Sequence, residues 1–255
     1  MSFLTDQDPA PFRKKPALVP CAFLLVSDHA GLQVPQRLGR MGVSDADWQR
    51  HIACDIGIRE VGHFLHQLLG ASLIEQVYSR LVIDCNRSPG HRTSIPSVSD
   101  HTVIEANQSL SDRERREREE TILHPYHEAI EEELAGMNPD ATVLVSLHSF
   151  TPVMNGFQRP WHVGLLHDHD SGSAQIMIEL MRREGLCVGD NEPYVLNSLN
   201  DYTVPFHAAR RNLPALEIEI RQDLIAEEAG QREWAGRLAR LLPAYWIERQ
   251  KRGVL

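Results

Sequence analysis

Cysteine is scarce in this 255-residue chain, and its four copies (Cys21, Cys54, Cys85 and Cys187) are scattered without a CxxC spacing. That argues against a zinc-knuckle framework and fits a reducing compartment. A basic excess is also missing: the formal net charge is −9, whereas a nucleic-acid binder should present a basic face. The densest basic stretch, Asp112–Glu120 (DRERREREE), mixes both signs and reads as a solvated helix face. No apolar run approaches membrane-spanning length, and the opening MSFLTDQDPAPFRKKP has no hydrophobic signal core. Internal repeats and shifts of composition that would mark a domain boundary are absent as well. These absences predict one cytoplasmic α/β domain over residues 1–255, with no nucleic-acid or membrane partner and with residues 1–17 a loosely ordered lead-in. The remaining composition, 42% hydrophobic and 24% charged, suits a globular core that needs no disulfide or metal staple.

Several short apolar runs end abruptly in polar residues. Thr142–Phe150 (TVLVSLHSF) has the β-branched, apolar character of a strand buried on both faces, and it breaks at His148. Cys21–Ser27 breaks at Asp28-His29, Leu81–Cys85 at Asp84-Cys85-Asn86-Arg87, and Ala215–Ile220 at Glu219-Ile220-Arg221. Ser72–Val77 and Trp161–Leu166 complete the predicted strands. Helical patterns cover Asp55–Leu69, stopped by Gly70, then Ser111–Leu134, Gly172–Gly185 and Trp234–Leu242. Residues 88–107 and 151–160 form long loops. This alternation predicts a three-layer α/β/α architecture around a mixed, mostly parallel sheet.

In open α/β sheets ligands bind outside the carboxyl ends of strands, which is where these polar groups fall. Two neutral imidazoles with a carboxylate suit a catalytic Zn²⁺ site that leaves one position for water. Asn86 beside Arg87 suits a carboxylate-bearing small molecule, the guanidinium forking onto both oxygens. Arg159 and Arg221 are further candidate substrate-binding cations. Glu217 and Glu219 lie two apart on one strand and share a face; the local pattern E-I-R-Q-D favours Glu219 for acid–base work. Asp84 and Arg80 read as bracing residues, and Tyr194 and His207 as weaker candidates.

The segments SDHAGLQVP, HIACDIG, YSRLVIDCNR, SLHSFTP, RPWHVGLLH, GDNEPY and LEIEIRQDL, taken together and in order, resemble the N-formylglutamate amidohydrolase family over roughly residues 20–242. That family is related in fold to zinc carboxypeptidases. The resemblance implies zinc on His29 and His148, Glu219 as general base and acid, and Asn86 with Arg87 on a substrate carboxylate. Zinc carboxypeptidases take a further ligand three residues after the first histidine, but here that position is Leu32. Asp55 is the expected replacement, because an aspartate at this helix start recurs in formylglutamate hydrolases; Asp28 is the alternative. The expected activity is zinc-dependent hydrolysis of a linear amide such as N-formylglutamate. A carboxypeptidase-like peptidase and a non-catalytic carboxylate-binding protein are the rivals.

Overall fold

The computed structural model describes residues 3–253. Seven strands make one mixed sheet: β1 (Phe12–Lys15), β2 (Phe23–Ser27), β3 (Ser72–Gln76), β4 (Val143–Phe150), β5 (Val163–Leu166), β6 (Val188–Asp190) and β7 (Ala215–Arg221). Their spatial order is β1-β3-β2-β4-β7-β5-β6. The four central strands β3, β2, β4 and β7 run parallel, whereas β1 on β3 and β5 on β7 are antiparallel. Two-residue ribbons at 98–103 and 153–158 lie within the two predicted loops.

Alternation along the strands divides the interior into two cores. Val143, Val145 and Leu147 of β4 join Leu216, Ile218 and Ile220 of β7 under three helices, α1 (Ile58–Leu69), α3 (Ser171–Arg183) and α4 (Glu228–Arg252). The opposite face carries Leu24, Val26, Ile74 and Leu144 against α2 (His124–Gly136) and irregular chain. On this second face the odd residues of β7 and the even residues of β4 lie side by side, so polar positions Ser146, His148, Glu217 and Glu219 share one surface. The sheet is thus sandwiched between helical layers, as the alternation of elements predicts.

Three expectations need correction. The lead-in is not loose throughout. Residues 12–15 form the edge strand β1, paired with β3 in register Arg13↔Glu75, and Tyr78 Oη donates to the Pro9 carbonyl 2.6 Å away. The signal was masked because an edge strand exposes one side, and FRKK carries three charges there. Leu81–Cys85 is fully buried but forms no strand. Three of its carbonyls are satisfied by side chains instead: Leu81 accepts from Asn107, Val82 from Arg118 and Cys85 from His127, at 2.8 Å each. Lastly, α4 extends over 25 residues, well past the predicted Trp234–Leu242, with Pro243 inside it. Burial of Leu238, Leu242 and Tyr245 against the sheet outweighs the proline's missing donor.

Candidate active site

The sequence brings the polar strand ends together through three local devices. The chain turns at residues 28–29 after β2 and then passes Val77 at Gly31, where a Cβ would stand 2.2 Å from the Val77 carbonyl carbon; only glycine permits this approach. The turn sets His29 against the irregular segment that carries Arg80 and Asp84. Next, Asp55 lies just ahead of α1, its own N–H donating to the His29 carbonyl at 3.0 Å. Finally, the parallel pairing of β4 with β7 sets Glu219 opposite His148 and Glu217 opposite Ser146.

Asp55 is the centre of the cluster. Its Oδ2 lies 3.0 Å from His148 Nδ1 and 3.5 Å from His29 Nδ1, and it accepts from the Ser149 N–H at 3.1 Å. Arg80 Nη1 donates to the other oxygen at 3.2 Å. The two rings meet edge to face with centroids 4.9 Å apart. His29, Asp55 and His148 each offer one atom within 4.8 Å of the others, and all three are buried. Leu32, by contrast, is exposed and points its side chain to solvent.

The outer nitrogens of both imidazoles face carboxylates. His29 Nε2 lies 2.7 Å from Asp84 Oδ1, and His148 Nε2 lies 3.2 Å from Asp28 Oδ2. Asp84 is hydrogen-bonded to His29 Nε2, and His29 Nδ1 is left without a partner; His148 has a carboxylate beside each ring nitrogen, and its Nε2 also lies 3.0 Å from the Ser146 hydroxyl. Asp28 therefore sits behind His148, on the side away from Asp55, and is further anchored by the Thr203 hydroxyl at 2.6 Å. Asp84 also accepts from Arg80 Nη2 at 2.8 Å and from the Asn86 N–H at 2.9 Å. Sequence reasoning gave Asp84 and Arg80 only a bracing part. Their place within D-x-N-R and four residues ahead of Asp84 was the available signal.

Electrostatics follow from this packing. Burial works against the charged form of Asp28, but hydrogen bonding and charge from His148 hold it down at about 2. Burial also opposes the His148 imidazolium, yet its bonds to Asp28 and Asp55 raise it well above the usual histidine value. Burial pushes Glu219 up to about 7, with His148 opposing. Glu217 is also held well above the ordinary glutamate value, through burial and then repulsion from Asp201.

His29, Asp55, Arg87, His148, Glu217 and Glu219 line one cleft of about 800 Å³. Four of its buried polar atoms have no hydrogen-bond partner among the described residues: His29 Nδ1, Arg87 Nη1, Glu217 Oε2 and Glu219 Oε2. Unpaired buried polar groups are rare in folded proteins, and four in one cleft are what a ligand site leaves open.

The other predicted residues fare unevenly. Asn86 is largely committed within the protein: its Oδ1 accepts from the Tyr202 and Thr203 N–H groups at 2.9 and 3.0 Å, and its Nδ2 donates to Asp201 at 3.3 Å. One Nδ2 proton remains for a ligand. Arg159 and Arg221 do not line the cleft. Arg159 donates to the Thr151 carbonyl and hydroxyl and lies against the Phe150 and Tyr194 rings. Arg221 pairs with Asp223 and holds the Arg159 and Trp161 carbonyls. Both arginines shape the wall, a purpose that single-residue charge could not distinguish from substrate binding. His207 is buried outside the cleft lining, against His127 and Glu131, whereas Tyr194 does line the cleft.

Comparison with known proteins agrees with the geometry. The described fold superposes on gene product Atu2144 of Agrobacterium tumefaciens with a TM-score of 0.91 at 34% identity, covering 97% of this chain and 99% of that one. It also superposes on N-formylglutamate amidohydrolase from Ralstonia eutropha JMP134, with a TM-score of 0.70 at 21% identity, over 96% of this chain and all of that one. No curated protein matches the sequence. A model of the family described as N-formylglutamate amidohydrolase matches residues 21–226, a span that takes in the whole cluster from His29 to Glu219. The chain belongs to the N-formylglutamate amidohydrolase family.

Proposed function

We propose that the protein is a zinc-dependent amidohydrolase that cleaves the linear C–N bond of an N-acyl amino acid, of the kind represented by N-formylglutamate. The observation that carries this reading is the convergence of two imidazole Nδ1 atoms on one carboxylate, beside an unpaired carboxylate and an unpaired guanidinium in the same cleft. His29, Asp55 and His148 would hold the metal. The fit rests on the donor set and on His29 Nδ1, which is buried without a hydrogen-bond partner. Zinc bound there would supply Lewis acidity and bring the pKa of a water towards neutrality.

The chain's own residues do the rest. Asp84 and Asp28 fix the tautomers of His29 and His148, and Arg80 holds Asp55 and Asp84 in place. Arg87, with the free Nδ2 proton of Asn86, binds the substrate carboxylate and so places the amide in the cleft. Glu219 takes a proton from the attacking water and gives it to the leaving nitrogen. One water is consumed: its oxygen bonds to the acyl carbon, the C–N bond breaks, and a carboxylic acid and an amine leave. Four free cysteines, none in a disulfide, support a reducing and therefore cytoplasmic setting.

Two measurements test the reading. Elemental analysis should find about one zinc per chain. Glu219→Gln should lower kcat by about 10²–10⁴-fold while retaining zinc, as loss of a general acid–base group does. A fully active Glu219→Gln enzyme would remove Glu219 from the chemistry. Full occupancy without turnover of any N-acyl amino acid would point to a carboxylate-binding protein.

A further inference from the structure

The cleft is much larger than a formylated amino acid needs: about 800 Å³, within the range that accommodates drug-sized ligands. Its charges decide what the spare volume suits. Of the cations lining it, Arg80 is engaged with Asp55 and Asp84, and His51 faces Asp100 at 3.7 Å. Arg92 is exposed on the rim, where an ion pair contributes little. Arg87, half-buried, alone among these arginines carries a buried guanidinium nitrogen without a hydrogen-bond partner, enough for one carboxylate. Against it stand Asp201, Glu217 and Glu219, none of them paired with a cation. A second substrate carboxylate in this cleft would find no further free buried guanidinium to replace its hydration.

The rim is apolar. Seven of the twelve large apolar side chains that stand exposed among the described residues belong to three segments around the cleft mouth. These are Val98 and Val103 on the 98–103 ribbon, Val153 and Phe157 on the 153–158 ribbon, and three residues within 194–199. Val98, Met154, Tyr194 and Val195 line the cleft itself, and Val195 is 61% exposed. Grouped exposed apolar side chains of this sort mark binding surfaces.

We infer that the substrate is an amide with a single carboxylate and an extended apolar group, rather than a dicarboxylate such as N-formylglutamate. This rests on the amidohydrolase reading above. The apolar group belongs either to the acyl half or to the amino-acid side chain, and two substrate series separate these sources. One runs from N-formyl- through N-acetyl- and N-hexanoyl- to N-decanoylalanine. The other compares N-formylalanine, N-formylnorvaline, N-formylleucine and N-formylglutamate.

Assayed with the zinc-loaded enzyme by release of free amine, kcat/KM should climb along one of the two series. The expected gain is about two- to fourfold per added methylene, the increment for burying a CH₂ group. N-Formylglutamate should rank below N-formylleucine. Val195→Asp should flatten the slope against chain length. Flat series, or N-formylglutamate preferred over every apolar member, would overturn the inference and leave the amidohydrolase reading standing. Loss of that preference in Arg92→Ala would then assign the second carboxylate to Arg92. Absence of turnover across both series would instead sink the amidohydrolase reading, and this inference with it.

Discussion

Between Asp28 and Asp55, His148 has an acidic partner on each ring nitrogen, and the two partners have different consequences. Asp55 shares its Oδ2 with the inner nitrogens of both rings, so Asp55→Ala should abolish tight zinc binding. Asp28 only orients the ring from behind, so Asp28→Asn should weaken zinc about 10–100-fold, as loss of an orienting partner typically does. Competition against a chromophoric chelator measures both; equal losses would mean that the two aspartates have been assigned the wrong parts. At this scale the sequence was informative wherever a side chain's chemistry was unusual for its setting. A histidine or glutamate closing an apolar strand could be read directly. The separation of Asp28 from Asp55 needed only the rule that adjacent residues on extended chain face opposite ways. The commitment of Arg159 and Arg221 to backbone carbonyls could not be read, because it depends on how the 151–161 loop folds back.

Among the elements, edge strand β1 shows how a short polar segment earns a fixed place. Buried Glu75 of β3 accepts from Arg13 of β1 at 3.2 Å and lies 2.7 Å from His63 Nε2 of α1, so one carboxylate ties strand, sheet and helix together. Burial opposes its charged form, but His63 and Arg13 hold its pKa below the ordinary value. The unfolded chain therefore takes up a proton first as pH falls, and the stability that Glu75 contributes is complete above about 4.5 and lost below it. Glu75→Gln should cost about 1–3 kcal/mol near neutral pH, the penalty for leaving buried partners unmatched. The gap to the unsubstituted protein should narrow in urea melts repeated at pH 4 and below. A gap that stays constant with pH would mean that packing, not charge, sets the cost. Elements with a period of two or of 3.6 were legible, including every central strand of the sheet. Residues 81–85 are apolar enough for a strand but lie where side chains and loop backbone, not a neighbouring strand, satisfy their polar groups.

For the molecule as a whole, the proposed metal ligands sit just after β2, just ahead of α1 and on β4, which lie far apart in sequence. A ligand held by all three exists only in the folded state, so binding should stabilise the entire fold. Zinc at about a hundred times its Kd should add about 2.7 kcal/mol, a rise of about 5–10 °C in Tm for a chain of this size. Scanning calorimetry with and without zinc checks this, and Asp55→Ala should abolish the shift. The layered α/β/α order could be read from the alternation of elements; the pairing order of the strands could not, because crossovers leave no local trace. That pairing has a further consequence. Neighbouring positions on β4 and β7 point to opposite layers, so a slip of one residue between the strands would mismatch His148 and Glu219 and bring apolar and polar rows into conflict at the same time. A misaligned chain would therefore be unstable as well as lacking the proposed site, and folding itself proofreads that surface.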